Sequence, residues 1–145
     1  MRYLRYCIVL SMLLVLAACA STTSITSPEP DSVLSLREVR LELPAQHRLR
    51  GTTFGNYEFK AQAPGQAPFY GVLPLNFKGA YLAADILFFA PATFFNLRGA
   101  FPFYEIDVSK QVVRFKRKAA DPWTEIQPKQ AEEERARNYF GGERP

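Results

Sequence analysis

The chain has 145 residues, of which 18 are Lys or Arg, 14 are Asp or Glu and one is His. This length suits one domain with a hydrophobic core and argues against two domains. Arg2 and Arg5 stand near the N-terminus, and without them 16 basic residues face 14 acidic ones. A balance so close to neutral gives no case for nucleic acid as a partner.

The first residues have the layout of a secretory signal. Arg2 and Arg5 precede the apolar run Cys7–Leu16, which is followed by the small residues Ala17 and Ala18. A charged start, a short apolar stretch and a small-residue cleavage region are the three parts of such a signal. The apolar run is too short to span a bilayer.

The tetrapeptide Leu16-Ala17-Ala18-Cys19 resembles the lipobox of bacterial lipoproteins. The resemblance implies that Cys19 receives a diacylglyceryl thioether, that the signal is removed before it, and that the new amino terminus is acylated. Three acyl chains give stable attachment, whereas one chain binds only marginally. In these lipoproteins an aspartate after the cysteine favours the inner membrane. Because Ala20 stands there, the resemblance implies the outer membrane, on its periplasmic face.

The lipobox assignment also excludes any other role for the two cysteines. The chain has two cysteines; Cys7 leaves with the signal and Cys19 is consumed by lipid. No thiol is then left for a disulfide, a redox centre or a thiolate metal site.

Residues 20–32 read ASTTSITSPEPDS, a polar stretch with two prolines. This composition buries little apolar surface and predicts a disordered tether. We therefore expect a signal peptide at 1–18, a lipidated cysteine and tether at 19–32, and a single α+β domain at 33–145.

Period-two alternation predicts several strands. The first covers Leu36–Leu43 and the second Asn56–Gln62. The best-defined element is a hairpin in which Phe103–Val108 and Val112–Lys118 are joined by a short polar turn. Tyr104, Ile106 and Val108 then line one face of the first hairpin strand, and Val113 and Phe115 line one face of the second.

The segment Ala80–Phe95 is apolar on nearly every side and contains Asp85 and Pro91. It is shorter than a bilayer span, so we predict a buried helix that kinks or restarts at Pro91. The stretch from Tyr81 is similar to the corresponding stretch of the small YceK/YidQ-type enterobacterial lipoproteins. That resemblance implies no catalytic residues.

A second, polar helix is predicted at Lys129–Phe140. Pro128 suits its first position and Gly141-Gly142 its end, and its charge run predicts a solvated face.

The search for catalytic groups finds little. The single histidine, His47, falls in a predicted loop between Pro44 and Gly51, which indicates an exposed loop residue rather than a member of a triad or a metal ligand. Glu105 and Asp107 have the spacing of one strand face and are compatible with an acid/base pair. Cross-strand pairing with Arg114 and Lys116 explains them more simply.

Asp85 is the one polar residue that looks out of place on its apolar helix, because an unpaired buried charge is strongly disfavoured. One interpretation has it cap a neighbouring backbone or pair with Lys78 or Arg98. The other places it at the bottom of an aromatic ligand pocket. The pocket residues would be Asp85, Phe88, Phe89, Phe94 and Phe95.

These observations predict an α+β fold, with a small antiparallel sheet of about four or five strands packed on one apolar helix and a short C-terminal helix. The predicted function is a non-enzymatic binding or scaffolding module of the cell envelope, attached to the outer membrane through Cys19. No cofactor, metal or catalytic residue is expected, and the partners are the membrane and an envelope protein or lipid. The alternative is a carrier or chaperone for an apolar ligand such as a lipid.

Overall fold

The computed structural model describes residues 20–79, residue 83 and residues 97–141. The predicted signal peptide, Cys19 and all but Ala83 of the predicted apolar helix 80–95 lie outside these residues. The elements that lie wholly within them are eleven strands and a C-terminal helix. The strands are β1 (Ala20–Thr26), β2 (Val33–Leu36), β3 (Val39–Glu42), β4 (Ala45–Arg50), β5 (Glu58–Gln62), β6 (Phe69–Val72), β7 (Leu75–Phe77), β8 (Arg98–Ala100), β9 (Phe103–Asp107), β10 (Val112–Lys116) and β11 (Thr124–Ile126), and the helix is α1 (Gln130–Tyr139).

The strands form three sheets instead of the one that the sequence predicts. A five-stranded sheet has the order β11-β10-β9-β1-β4, a four-stranded sheet has the order β3-β2-β5-β6, and β7 pairs with β8. The pairs are antiparallel except β1 with β9, which is parallel. The fold is therefore α+β and mostly sheet. The apolar helix that we predict against the sheet falls outside the described residues.

The two larger sheets share one hydrophobic cluster. Ile25 and Tyr104 come from the five-stranded sheet, and Leu34, Phe59 and Phe69 come from the four-stranded sheet. All five are at most 1% exposed. Rings meet edge to face within this cluster, with the centroids of Phe59 and Phe69 5.1 Å apart. The polar helix α1 lies near β5 and β6 and buries Ala136.

The strand registers place the connections at two opposite ends of the molecule. β1 begins where β4 ends, since Ala20 pairs with Arg50. The same end holds the turn between Leu36 and Val39, the bridge between Thr52 and Arg98, and the β7–β8 ribbon. We call it the proximal end and define it as residues 37–39, 50–57, 73–79, 97–99 and 116–123. The distal end comprises residues 27–32, 43–44, 63–68 and 108–111.

The hairpin prediction is confirmed. β9 and β10 pair in the expected register, with Val113 opposite Ile106 and Phe115 opposite Tyr104. The predicted strand Asn56–Gln62 is also confirmed, as β5. The predicted C-terminal helix is observed as α1, with Lys129 as its N-cap, so Pro128 precedes the helix instead of opening it.

The disordered tether predicted for 19–32 is wrong over its described residues. β1 lies inside the five-stranded sheet, between β9 and β4, and both Thr23 and Ile25 are fully buried. The hydroxyl of Thr23 donates to the carbonyl of Phe101 at 3.0 Å. A polar residue is tolerated in a core when it is hydrogen-bonded, and this is why a small, polar segment forms an interior strand.

The single strand predicted over Leu36–Leu43 is also wrong, because the chain turns there. β2 and β3 form a hairpin in which Leu36 pairs with Val39. The turn residue Arg37 has a φ of +51° and donates its backbone N–H to the carbonyl of Glu58 at 3.0 Å. The turn lacks the glycine, asparagine or proline that marks such turns in a sequence.

Candidate functional site

A cleft of about 350 Å³ opens between the β2–β3 turn and β4, where the edges of the two larger sheets face each other. Its lining combines three arginines, one histidine, one tyrosine and one glutamate with aliphatic residues. The lining residues are Leu36, Arg37, Glu38, Val39, His47, Arg48, Leu49, Arg50 and Tyr57.

The alternation of β4 supplies one wall of this cleft. Leu49 points inward and is buried, His47 is half-buried, and Arg48 and Arg50 are exposed on the other face. The registers place Arg48 opposite Thr22 and Arg50 opposite Ala20 on β1. Arg48 and Arg50 therefore lie on the strand next to the first residues of β1.

The β2–β3 turn supplies the opposite wall. The guanidinium of Arg37 lies 3.9 Å from the carboxylate of Glu58 and over the ring of Tyr139, 5.9 Å from its centroid. A hydrogen bond with Tyr139 is the main cause that raises the pKa of Arg37 above its usual value. These contacts hold the turn against α1 and fix the position of the Arg37 side chain.

Tyr57 connects the end of β4 to the start of β5. Its hydroxyl donates to the carbonyl of Arg50 at 2.6 Å. Burial raises the pKa of Tyr57 above its usual value despite this hydrogen bond. The phenol therefore stays neutral at physiological pH and ties the end of β4 to the start of β5.

The charge balance of the cleft favours an anion. Three arginines and one glutamate, Glu38, are among the lining residues, and Glu58 pairs with Arg37 from outside the lining, which leaves a net positive charge. Guanidinium groups bind carboxylate and phosphate oxygens through paired hydrogen bonds, and an imidazole can donate a further one. The arrangement can bind an anionic group at its rim and an aliphatic part against Val39, the exposed aliphatic residue of the lining.

The structure corrects the position of His47. The residue lies on β4 and is half-buried in the cleft wall, whereas the sequence predicts an exposed loop residue. The stretch Gln46–Arg50 alternates polar and apolar residues only weakly, because its single large apolar residue is Leu49. Pairing with β1, more than 20 residues earlier in the chain, makes this stretch a strand, and the β2–β3 turn lies across the cleft from it.

The acidic pair Glu105 and Asp107 takes the structural role that the sequence favours. Arg114 contacts Glu105 at 2.6 Å, Asp107 at 3.6 Å and Glu125 of β11 at 2.7 Å. The hydrogen bonds that Arg114 donates to Glu105 and Glu125 raise the pKa of Arg114. The predicted partner Lys116 pairs with no carboxylate of this group; it donates to the carbonyl of Ala119 at 2.6 Å.

The other predicted site residues lie outside the described part of the chain. These are the lipidation site Cys19 and the pocket residues Asp85, Phe88, Phe89, Phe94 and Phe95. The ligand pocket and its apolar cargo therefore stay predictions. Of the two basic partners offered for Asp85, Arg98 donates to the carbonyls of Thr53 and Gly55 at 3.0 and 2.8 Å, and the pairing of Asp85 with either residue stays a prediction.

Sequence reasoning missed Arg37, Arg48, Arg50 and Tyr57 as a group. Each looks like an ordinary surface residue in the sequence, and only the pairing of β2 with β5 and of β1 with β4 brings them together. The one available signal is the density of basic residues in His47–Arg50, which contains two arginines and the only histidine.

Within the described ranges, no group of three or more His, Cys, Asp and Glu residues is placed to hold a metal ion. In the same ranges no helix has the length and apolar character that a bilayer crossing requires. No family model matches the chain, and the searches of curated proteins and of solved structures gave no match either.

Proposed function

We propose that this protein is a lipid-anchored, non-enzymatic module of the bacterial cell envelope, held through Cys19 at the periplasmic face of the outer membrane. It binds an envelope component that presents an anionic oxygen group, a phosphate or a carboxylate, to the arginine cleft. The observation that supports the binding role is the cleft itself, whose lining includes Arg37 on one side and Arg48 and Arg50 of β4 on the other.

The anchor is supported by the tetrapeptide that ends at Cys19 and by the charged, apolar and small-residue regions before it. Cys19→Ala is expected to abolish lipid attachment and to leave an uncleaved precursor. Labelling with palmitate in growing cells measures this directly. Incorporation of label by Cys19→Ala, together with fractionation into the outer membrane, would contradict the anchor.

The binding role is supported by the positive balance of the cleft and by its open rim. His47 is the only histidine of the chain, so its ring resonances report on the cleft without interference. We expect inorganic phosphate or acetate to shift these resonances in the processed, detergent-solubilised protein, and to do so saturably. The ion that binds more tightly identifies the class of anion.

Arg48→Ala and Arg50→Ala are expected to weaken this binding by about fivefold to tenfold each, the loss of one charge-assisted hydrogen bond. Arg40→Ala is the matched control, because Arg40 is an exposed arginine of β3 outside the cleft lining. Shifts that do not saturate, or that are equal in all variants, would show that the cleft does not bind such groups.

A further inference from the structure

The exposed large apolar side chains of the described residues lie at or against one end of the molecule. Phe54 is 73% exposed and Phe77 is 54% exposed, and both belong to the proximal end. Trp123 and Val39 belong to it as well. Tyr139, at the end of α1, lies over Arg37 of the same end. The four distal segments contribute none of these side chains.

Basic side chains accompany these apolar ones. Arg50, Lys78, Arg98 and the run Lys116–Lys118 all belong to the proximal end. Lys116 lies over the ring of Trp123, 4.5 Å from its centroid. The proximal end also carries the carboxylates Glu38 and Asp121, but its basic residues outnumber them, whereas the distal end carries Glu29 and Asp31 with the single basic residue Lys110.

Hydrogen bonds join the proximal segments into one surface. Arg98 donates to the carbonyl of Gly55 at 2.8 Å, which fixes the segment that carries Phe54. Arg117 donates to the side-chain oxygen of Asn76 at 2.7 Å, which connects the segment of Trp123 to β7, where Phe77 lies. The exposed rings of Phe54, Phe77 and Trp123 therefore project from segments that hydrogen bonds join together; we call this surface the platform.

The chain leaves no room for a spacer between this platform and Cys19. Ala20 already pairs with Arg50, and one residue spans at most about 3.6 Å. Aromatic rings and basic side chains together are the residues that proteins place at a membrane interface, where rings enter the headgroup region and cations meet anionic lipid.

We propose that the proximal end is a docking face for a phospholipid bilayer that contains anionic lipid, with Phe54 and Phe77 entering the interface. The proposal deepens the proposed function, since it rests on a lipid on Cys19 that brings this end to the membrane. It gives the domain one orientation, with the strands rising from the bilayer and the distal end farthest from it.

The test uses processed protein, reconstituted in vesicles of phosphatidylethanolamine and phosphatidylglycerol, that carries a single tryptophan. Phe54→Trp in a Trp123→Phe background places the probe at the docking face. Gln66→Trp in the same background is the matched control, because Gln66 is an exposed residue of the distal end. Brominated lipids quench a tryptophan only when it reaches the bilayer.

We expect quenching at position 54 to exceed that at position 66 by about twofold or more, because only a fixed orientation brings one end into contact with lipid. Replacing phosphatidylglycerol with neutral lipid should lower the quenching at position 54. Equal quenching at the two positions would show a freely tumbling domain and overturn the proposal. Quenching at neither position would overturn it as well, because a different partner would then cover this end.

Mass spectrometry of the same samples reports separately whether Cys19 carries lipid. A lipidated protein without a quenching difference refutes the docking face and leaves the anchor intact. A quenching difference without lipid refutes the anchor and leaves the docking face intact. Circular dichroism of each variant verifies that the substitutions, all at exposed positions, leave the fold unchanged.

Discussion

The carboxylate of Glu29 secures the loop between β1 and β2 at the distal end. It accepts hydrogen bonds from the hydroxyl of Ser27 at 2.7 Å, from the N–H of Ser109 at 2.9 Å and from the N–H of Val108 at 3.3 Å. Burial acts to raise the pKa of Glu29, but the hydrogen bonds from Ser109, Ser27 and Val108 outweigh it and lower the pKa from 4.5 to about 2. The charged form is therefore preferred in the folded protein.

The difference between the folded and unfolded pKa of Glu29 predicts an acid-dependent loss of stability. Because the folded pKa lies below the unfolded one, the contribution of Glu29 is fully present above pH 4.5 and disappears as the pH falls to about 2. Glu29→Gln is expected to lower the free energy of unfolding at pH 7 by about 1 to 3 kcal/mol and to flatten this part of the pH profile. Denaturant unfolding measured from pH 7 to pH 2 checks both.

The exposed Glu42→Gln is the control and should keep the acid-dependent loss of the unmodified protein. If the free energy of unfolding of Glu29→Gln fell as steeply between pH 4.5 and 2 as that of the unmodified protein, the hydrogen-bonded carboxylate would not be the cause of the acid-dependent loss.

At the scale of elements, β1 joins β4 to the rest of the five-stranded sheet. It pairs with β4 on one side and with β9 on the other, and the N–H of Ser24 donates to the carbonyl of Pro102 at 2.9 Å. Ser24→Pro removes this donor inside a sheet and is expected to cost about 3 kcal/mol or more. Ser24→Ala keeps the donor and is expected to cost well under 1 kcal/mol.

Thermal unfolding of the two variants distinguishes a strand from a tether. A disordered tether tolerates proline without a change in melting temperature. Equal melting temperatures for Ser24→Pro and the unmodified protein would return residues 20–26 to the predicted tether.

The elements also show what the sequence can predict. The β9–β10 hairpin is predictable because Tyr104, Ile106 and Val113 alternate with polar residues around a polar turn. β1 is not, because its interior positions include Thr23, whose burial depends on a carbonyl 78 residues away. The β2–β3 hairpin could not be predicted from the sequence, for a related reason. Arg37 adopts its left-handed conformation with contacts from Glu58 and Tyr139, and neither is local in sequence.

For the whole molecule, the two ends differ in composition and in contacts. The cleft, the exposed rings of Phe54 and Phe77 and the start of β1 lie at the proximal end. The distal end is closed by short turns, among them the left-handed Gly65 and the loop held by Glu29. This division comes from long-range registers. The N-terminal motif therefore predicts where the protein is located, but the sequence predicts neither the cleft nor the exposed apolar residues of the proximal end.

The position of β1 also decides how the protein responds to mechanical force. Any pull on the proposed anchor enters the fold through Ala20 and runs along the axis of β1. Six register pairs with β4 and three with β9 flank that strand, and their hydrogen bonds lie across the direction of pull. A load that opposes the pull at the distal end of β4 acts on these pairs together in shear, whereas a load applied in the cleft, beside Arg50, acts first on the Ala20–Arg50 pair. The fold therefore resists tension best between the proposed anchor and a load at the distal end, and least when the opposing load acts in the cleft.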